Sequence, residues 1–290
     1  MAVTVGSSPF VERRRLRAEL RQARQDAGLT QETVAEQMDW SLSKIIRIET
    51  GSVGISTNDL TALLRLYKIK DRQQVRELLE RAKVARQHAW WSKYRNVLPK
   101  DYFQYIEYET SASIIRSYQT IVVPGLLQTE EYAAATARLY RLKFTAEEVR
   151  ARVEVRMKRQ ERLLSQSQPP LLFYILDEAV VQRLLGDQNL RQAQLEKLIS
   201  MAERPEITIE IVPFAIGLHR GMAEDFNVLE FPDSADNDVI YFEGIRDSIF
   251  SHDVYEELAV YRELFEDLRQ VSLGPKGTLD YLIKAADATR

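Results

Sequence analysis

Residues 28–51, with the sequence GLTQETVAEQMDWSLSKIIRIETG, constrain the fold of this chain more than any other stretch. Thr30 is a typical N-cap residue, and the pattern after it predicts a short helix over residues 31–37. Ser41 is predicted to cap a second short helix, and Gly51 to end it. The stretch therefore predicts two short helices joined by a tight turn.

Two short helices that cross steeply need a small residue where their backbones approach. Ala35 has that position, five residues after the predicted cap. The apolar side chains around it are predicted to form a core shared by both helices. These are Val34, Met38, Ile45 and Ile48.

Helical periodicity continues on both sides of this pair. A helix is predicted from Phe10 to Ala27, ended by Gly28, and another over residues 57–69. A long basic helix is predicted over residues 71–91. Leucines and a tyrosine recur on one side of the helix over residues 57–69, namely Leu60, Leu63, Leu64 and Tyr67.

Charge is distributed unevenly along the 290 residues, although the formal net charge is only −3. Residues 1–100 contain 19 Lys or Arg and 11 Asp or Glu, whereas the rest contains 21 and 32. Such an asymmetry is typical of a polyanion-binding module joined to a module of another kind. We predict an N-terminal domain over residues 1–70, a basic connecting helix over 71–90 and a second domain over 91–290.

The second part of the chain mixes apolar runs with helical patterns, which predicts an α+β domain. Residues 93–139 are aromatic-rich, with a Pro-Gly break between two helix-like pieces. A helix is predicted around residues 178–203 and a last helix over residues 253–273. The predicted strands cover residues 171–177, 206–212, 225–231 and 238–244. The strand order cannot be predicted from these patterns.

The pattern LRxxRQxxGLTQxxVAEQM…S…I…IETG resembles the lambda-repressor-like, XRE-type helix-turn-helix domains over about residues 12–70. The resemblance implies an all-α domain of five helices that binds double-stranded DNA with its third helix in the major groove. It implies that Gln31 and Lys44 lie near phosphates. The residues that it places against the bases are Ser41, Leu42, Ser43 and Arg47.

Two features of this domain leave alternatives open. Arg47 is the best candidate for bidentate recognition of guanine, and the alternatives are a phosphate contact or a solvated side chain. Ile46 stands where polar residues are usual and is one turn after Leu42. It either contacts thymine methyl groups or packs against another part of this protein.

Asp39 replaces the glycine common in the turn, and Asp tolerates the left-handed conformation.

The resemblance also pairs Arg24 with Glu49 in a buried ion pair that ties the first helix to the third. We interpret this pair as structural. Residues 1–70 carry only 11 basic and 8 acidic residues, so one copy is expected to bind DNA weakly. We therefore predict a homodimer that reads a palindromic operator.

Residues from about 90 to 285 resemble the C-terminal domain of WhiJ-like regulators of actinobacteria. The motifs that carry this resemblance include YIEYETSASIIRSYQTIVVPGLLQTEEYAAA and ITIEIVPFAIGLHRGMAEDFNVLEFPD. It implies an antitoxin-type transcriptional regulator, controlled by a small partner protein or ligand. The alternative is an interaction protein that sequesters a small companion encoded nearby and binds DNA for autoregulation.

An enzyme is the less favoured class. The polar residues to consider are Asp177, Glu178, His219 and Asp225, but the three histidines lack metal-ligand spacing. Capping explains the acidic pair, and we assign His219 to a loop between strands. We predict no catalytic residue, metal or cofactor. The absence of cysteine, of an N-terminal apolar run and of a membrane-spanning stretch predicts a cytoplasmic, nucleoid-associated protein.

Overall fold

The computed structural model describes residues 9–51, 53–86, 90–139, 144–184, 187–231, 238–242, 249–251 and 255–288. The chain divides into two compact units, residues 1–92 and residues 93–290, and each has its own hydrophobic core. Among the described residues, no helix is long and apolar enough to cross a membrane.

The first unit contains five α-helices in the part of the chain that the structure describes. They are α1 (Pro9–Asp26), α2 (Gln31–Gln37), α3 (Leu42–Thr50), α4 (Thr57–Leu66) and α5 (Arg72–Ala85). Four of them begin after a residue whose side chain accepts a hydrogen bond from the first turn. These N-caps are Thr30, Ser41, Ser56 and Asp71. The predicted all-α, five-helix architecture is confirmed.

The core of the first unit is formed by apolar side chains from all five helices. Leu20 of α1, Ile45 of α3 and Leu78 of α5 are among its fully buried members. The four predicted core residues of α4 and its C-terminus are also buried, and they are Leu60, Leu63, Leu64 and Tyr67.

Helix α5 lies within the first unit, whereas the sequence assigns residues 71–90 to a separate connecting helix. Leu78 and Ala82 of α5 are part of the core, and the Arg81 guanidinium pairs with the Glu12 carboxylate at 3.3 Å. Both charged side chains are almost fully buried, so each needs the other as its partner. The sequence predicts that α5 lies outside the first unit, because its many basic residues are typical of a solvated helix and its few buried apolar residues are not conspicuous. Residues 87–89 of the predicted helix lie outside the described residues.

The second unit combines a six-stranded sheet with seven α-helices among the described residues. The strands are β1 (Ile114–Gln119), β2 (Leu171–Asp177), β3 (Ile207–Val212), β4 (Phe226–Glu230), β5 (Val239–Phe242) and β6 (Ile249–Ser251). The helices are α6 (Lys100–Ser111), α7 (Glu130–Leu139), α8 (Ala146–Leu164), α9 (Glu178–Gln182), α10 (Gln188–Ala202), α11 (Tyr255–Val271) and α12 (Gly274–Asp287). The predicted α+β class is confirmed.

The strand order in the sheet is β3-β2-β1-β4-β5-β6. Strands β1, β2 and β3 are parallel, and β4 pairs antiparallel with β1, with Tyr118 opposite Phe226. Because β4 begins where β1 ends, residues 213–225 must cross from β3 to β4 along the carboxyl edge of the parallel strands. This connection is called the edge loop below.

Helices α11 and α12 complete the packing of the sheet. Phe265 and Leu268 of α11 pack in one cluster with Tyr118 and Phe226. Helix α12 lies against β3, where the Ile211 N–H donates to the Thr278 hydroxyl at 2.9 Å. Since β3 is an edge strand of the sheet, this contact satisfies a backbone group that the sheet leaves open.

The sequence misses three elements of this unit, namely β1, the short edge strand β6 and α12. Strand β1 lies at the centre of the sheet, where helix-like pieces are expected, because a strand buried on both faces does not alternate in polarity. Helix α12 follows the helix expected to be last. Pro275 suggests a stop, but proline is tolerated in the first turn of a helix. The helix expected around residues 178–203 is divided into α9 and α10.

Candidate nucleic-acid interface

The turn between α2 and α3 is held by backbone bonds and one left-handed residue. Asp39 has a φ of 54°, so the expectation that Asp adopts the left-handed conformation at this position of the turn is confirmed. The Trp40 N–H donates to the Ala35 carbonyl at 2.8 Å, which needs a close approach of the two segments. Ala35 is buried, consistent with its predicted place at the crossing.

Helix α3 is fixed at both ends and along its inner side. The Ser41 hydroxyl accepts a hydrogen bond from the Lys44 N–H, and Gly51 ends the helix with a φ of 76°. A Cβ on Gly51 would lie 2.2 Å from Nη1 of the flexible Arg17 side chain, which would have to move, so the left-handed backbone conformation is the main reason for glycine here. Ile45 and Ile48 are buried in the core of the first unit. The inner side of α3 is therefore scaffold.

The outer side of α3 presents most of the residues predicted to face DNA bases. Leu42 and Ile46 are each 38% exposed and lie one turn apart. Ser41 and Ser43 are exposed, as is Arg47, one turn after Ser43. The structure thus brings these five residues together on the accessible part of one short helix and its cap. Their roles toward DNA stay predictions.

Arg47 is the cation best placed on this surface. Its side chain is exposed, and among the described residues no hydrogen bond or ion pair of its guanidinium is present. A planar guanidinium that is free of internal partners can offer two parallel donors to a guanine edge. It can equally approach a phosphate.

Lys44 differs from Arg47 because it is held within the first unit. Its ammonium lies 3.2 Å from the Asp59 carboxylate and 3.7 Å from the centre of the Trp40 ring. Asp59 is on α4, fifteen residues away, and no sequence signal suggested this contact. The carboxylate offsets part of the positive charge that the predicted phosphate contact of Lys44 would use.

Gln31 joins the ion pair of Arg24 and Glu49. Arg24 Nε donates to Glu49 Oε1 at 2.7 Å, and Arg24 Nη2 donates to Oε2 at 3.2 Å. The Gln31 amide donates to the same Oε2 at 2.8 Å. Arg24 also donates to the Leu29 carbonyl at 2.8 Å. The three side chains therefore connect α1, the start of α2 and the end of α3.

In this cluster the negative charge of Glu49 is offset by Arg24, and both of its carboxylate oxygens accept hydrogen bonds. Glu49 is almost fully buried, and its hydrogen bonds with Arg24 raise the pKa of that guanidinium above its usual value. The bidentate geometry orients α3 relative to α1. Because the Gln31 side chain is bound to Glu49, a phosphate contact from Gln31 is left to its backbone N–H.

Three of the polar residues considered for catalysis in the second unit, Asp177, Glu178 and Asp225, accept hydrogen bonds that stabilise the fold. Asp177 caps α9 through a hydrogen bond from the Ala179 N–H. Asp225 accepts from the backbone N–H and the hydroxyl of Thr120. His219 lies on the edge loop between β3 and β4, as expected. Among the described residues, no group of three His, Cys, Asp or Glu side chains could hold a metal ion.

Comparison with protein families assigns both units. A family model described as "Domain of unknown function (DUF5753)" matches residues 102–284, more than half of the chain. The chain belongs to this family. The DUF5753 match begins within α6 and continues into α12, so it covers the whole sheet of the second unit.

A second model, described as "Helix-turn-helix domain", matches residues 15–78, from α1 to the middle of α5. This match supports a DNA-binding regulator whose second unit is a DUF5753 domain. No curated protein and no solved structure matches the chain.

Proposed function

We propose that this protein is a sequence-specific, DNA-binding regulator of transcription that reads its site with the outer side of α3. One observation carries the proposal: the inner side of α3 is fixed by Ile45 and Ile48, while Leu42, Ile46 and Arg47 are accessible. A helix held in this way fits the major groove and keeps its outward residues in register with the bases.

The contribution of Arg47 can be given a size. A bidentate contact from arginine to guanine typically contributes about 1–3 kcal/mol of discrimination between bases. Phosphate contacts from Lys44 and from the Gln31 backbone add affinity without adding sequence preference. Leu42 and Ile46 supply an apolar stripe suited to thymine methyl groups.

A homodimer on a palindromic operator is the assembly that we propose. A single N-terminal module carries little excess positive charge, so few counterions are released when it binds DNA. Two modules on one site double the contacts and match the two-fold symmetry of a palindrome. We assign dimerisation to the second unit.

Control of DNA binding is also assigned to the second unit. The resemblance of this part of the chain to WhiJ-like regulators supports an effector that is a small partner protein or a ligand. Its binding would alter the distance between the two copies of α3 and so change the affinity for the operator.

The reading role of α3 is tested by selecting a binding site from random duplexes and titrating the full chain against it. Arg47→Ala is expected to weaken binding to the selected site by about 5- to 150-fold, which corresponds to about 1–3 kcal/mol. Its affinity for random duplex should change much less. Arg72→Ala, which removes an exposed arginine from the start of α5, is the matched control.

Two outcomes would contradict this role. In one, the full chain shows no preference for any duplex at either of two salt concentrations. In the other, Arg47→Ala lowers the affinity for selected and random duplex by the same factor, which is the behaviour of a phosphate contact.

A further inference from the structure

The edge loop reverses the usual arrangement of apolar and polar side chains. Leu218 is 91% exposed, and Phe214 and Met222 are each more than half exposed. His219, on the same loop, has a side chain that is only 10% exposed. The loop therefore holds apolar groups in solvent and a polar group beneath it.

Polar contacts hold the loop at both ends. The Phe214 N–H donates to the Glu178 carboxylate at 2.8 Å, and Glu178 also accepts from the Tyr281 hydroxyl. At the other end, the Asp225 carboxylate accepts from the Thr120 N–H at 2.9 Å. These contacts fix where the loop crosses the carboxyl edge of β1 and β2.

Three polar side chains meet beneath the loop: Tyr118 at the end of β1, Asp177 at the end of β2, and His219. We call them the strand-edge cluster. His219 Nε2 lies 3.7 Å from Asp177 Oδ2, and the His219 and Tyr118 ring centres are 6.3 Å apart. The carboxyl edge of parallel strands is where sheets of this kind commonly bind ligands.

Two polar atoms of the cluster are buried without a partner. The Tyr118 hydroxyl and His219 Nδ1 have no hydrogen bond to any described residue, and Tyr118 is fully buried. Buried polar atoms in folded proteins are nearly always hydrogen-bonded. Two orphaned atoms in one cluster therefore indicate a site that a further group completes.

The chemistry of that group follows from the cluster. The Asp177 carboxylate is an acceptor only, and the Tyr118 hydroxyl oxygen can accept. His219 Nδ1 can also accept when the imidazole carries its proton on Nε2, the nitrogen nearer Asp177. The cluster thus offers hydrogen-bond acceptors at a place where the Asp177 carboxylate makes the electrostatic potential negative. A positively charged hydrogen-bond donor matches such a site.

The pKa of the Tyr118 hydroxyl reflects the same carboxylates. Burial, and then the nearby carboxylates of Asp177 and Asp225, raise the pKa of the Tyr118 hydroxyl above its usual value. Carboxylates that disfavour a phenolate at this position favour a cation there.

The tight packing of the loop limits the size of the cation. A Cβ added to Gly221 would lie 2.7 Å from Tyr118 Cε1 and 2.8 Å from Leu268 Cδ2. So close a contact leaves no room for another group beside the Tyr118 ring. A compact ammonium group therefore needs less displacement of the loop than a planar guanidinium does.

We propose that the strand-edge cluster binds the primary ammonium group of a small ligand whose apolar tail contacts Phe214, Leu218 and Met222. The ammonium donates to Tyr118 and His219 and pairs with Asp177. The role of this site as the effector site rests on the function proposed above, whereas ammonium binding itself does not.

The test is calorimetric titration of the full chain, without DNA, with phenethylamine and with n-hexylamine. The neutral analogues 2-phenylethanol and 1-hexanol are the matched ligand controls. We expect at least one amine to bind, and its alcohol to bind at least tenfold more weakly. Tyr118→Phe and Asp177→Asn should each weaken amine binding at least tenfold.

Asp187→Asn is the matched protein control, because Asp187 caps α10 as Asp177 caps α9. It should change amine affinity less than twofold. The proposal is overturned if neither amine binds, if an alcohol binds as well as its amine, or if Tyr118→Phe binds as the parent chain does. If the parent chain binds an amine but shows no preference for any duplex, the result counts against the proposed function only.

Discussion

Helix α3 and the edge loop both expose large apolar side chains, but what lies behind them differs. Behind α3 are the buried side chains of Ile45 and Ile48 and the carboxylate of Glu49, which has partners on both oxygens. Behind the edge loop are the orphaned polar atoms of Tyr118 and His219. The difference indicates that α3 is a finished scaffold for presenting side chains, whereas the edge loop covers a site that still has unmet hydrogen bonds.

The largest effect is expected at Glu49, because removing its carboxylate leaves Arg24 partly buried without its partner. Breaking a buried pair in this way typically costs about 3–5 kcal/mol. For Glu49→Ala we expect a loss of that order in the free energy of opening of α1 and α3, measured by amide hydrogen exchange. Glu36→Ala, an exposed change on α2, is the control. If the amides of α1 and α3 are equally protected from exchange in the two variants, the ion pair of Arg24 and Glu49 does not hold α3 in place.

A smaller loss is expected for Tyr132→Phe in the second unit. The Tyr132 oxygen accepts a hydrogen bond from the buried Val123 N–H at 3.2 Å. Leaving that N–H without a partner typically costs about 1–3 kcal/mol. Denaturant unfolding of the full chain, followed by circular dichroism, measures the change. An unchanged unfolding curve would contradict the contact.

The smallest effect on stability is expected for Tyr118→Phe, the matched change beneath the edge loop. Since the Tyr118 hydroxyl has no partner among the described residues, its removal breaks no hydrogen bond and ends the desolvation of a buried polar group. We expect the free energy of unfolding to stay the same or to rise, by less than about 1 kcal/mol. A loss as large as that of Tyr132→Phe would mean that the hydroxyl is already bonded, and the comparison with α3 would fail.

The scaffold of α3 could be predicted from sequence because its determinants are local. The caps at Thr30 and Ser41, the left-handed Asp39 and the terminal Gly51 each act within a few residues. The pairing of Arg24 with Glu49 is non-local, and only the resemblance to a known domain type suggested it. The contact of Lys44 with Asp59 had no such signal and was missed.

The strand-edge cluster could not be predicted because its contacts are also non-local. Tyr118 and His219 are about a hundred residues apart, and they meet only because the sheet places β1 between β2 and β4. Strand order is set by non-local pairing, which local patterns do not encode. Strand β1 itself was missed, so the sequence could not locate the edge on which the cluster lies.

The most direct test of the central claim, that the outer side of α3 contacts DNA, is site-specific photocrosslinking. A photoreactive phenylalanine analogue replaces Ile46 in one chain and Leu218 of the edge loop in another, and each is irradiated with the selected duplex. We predict a protein–DNA adduct from position 46 and none from position 218. An adduct from position 218 alone, or no adduct from position 46 in a chain that still binds the duplex, would contradict the account.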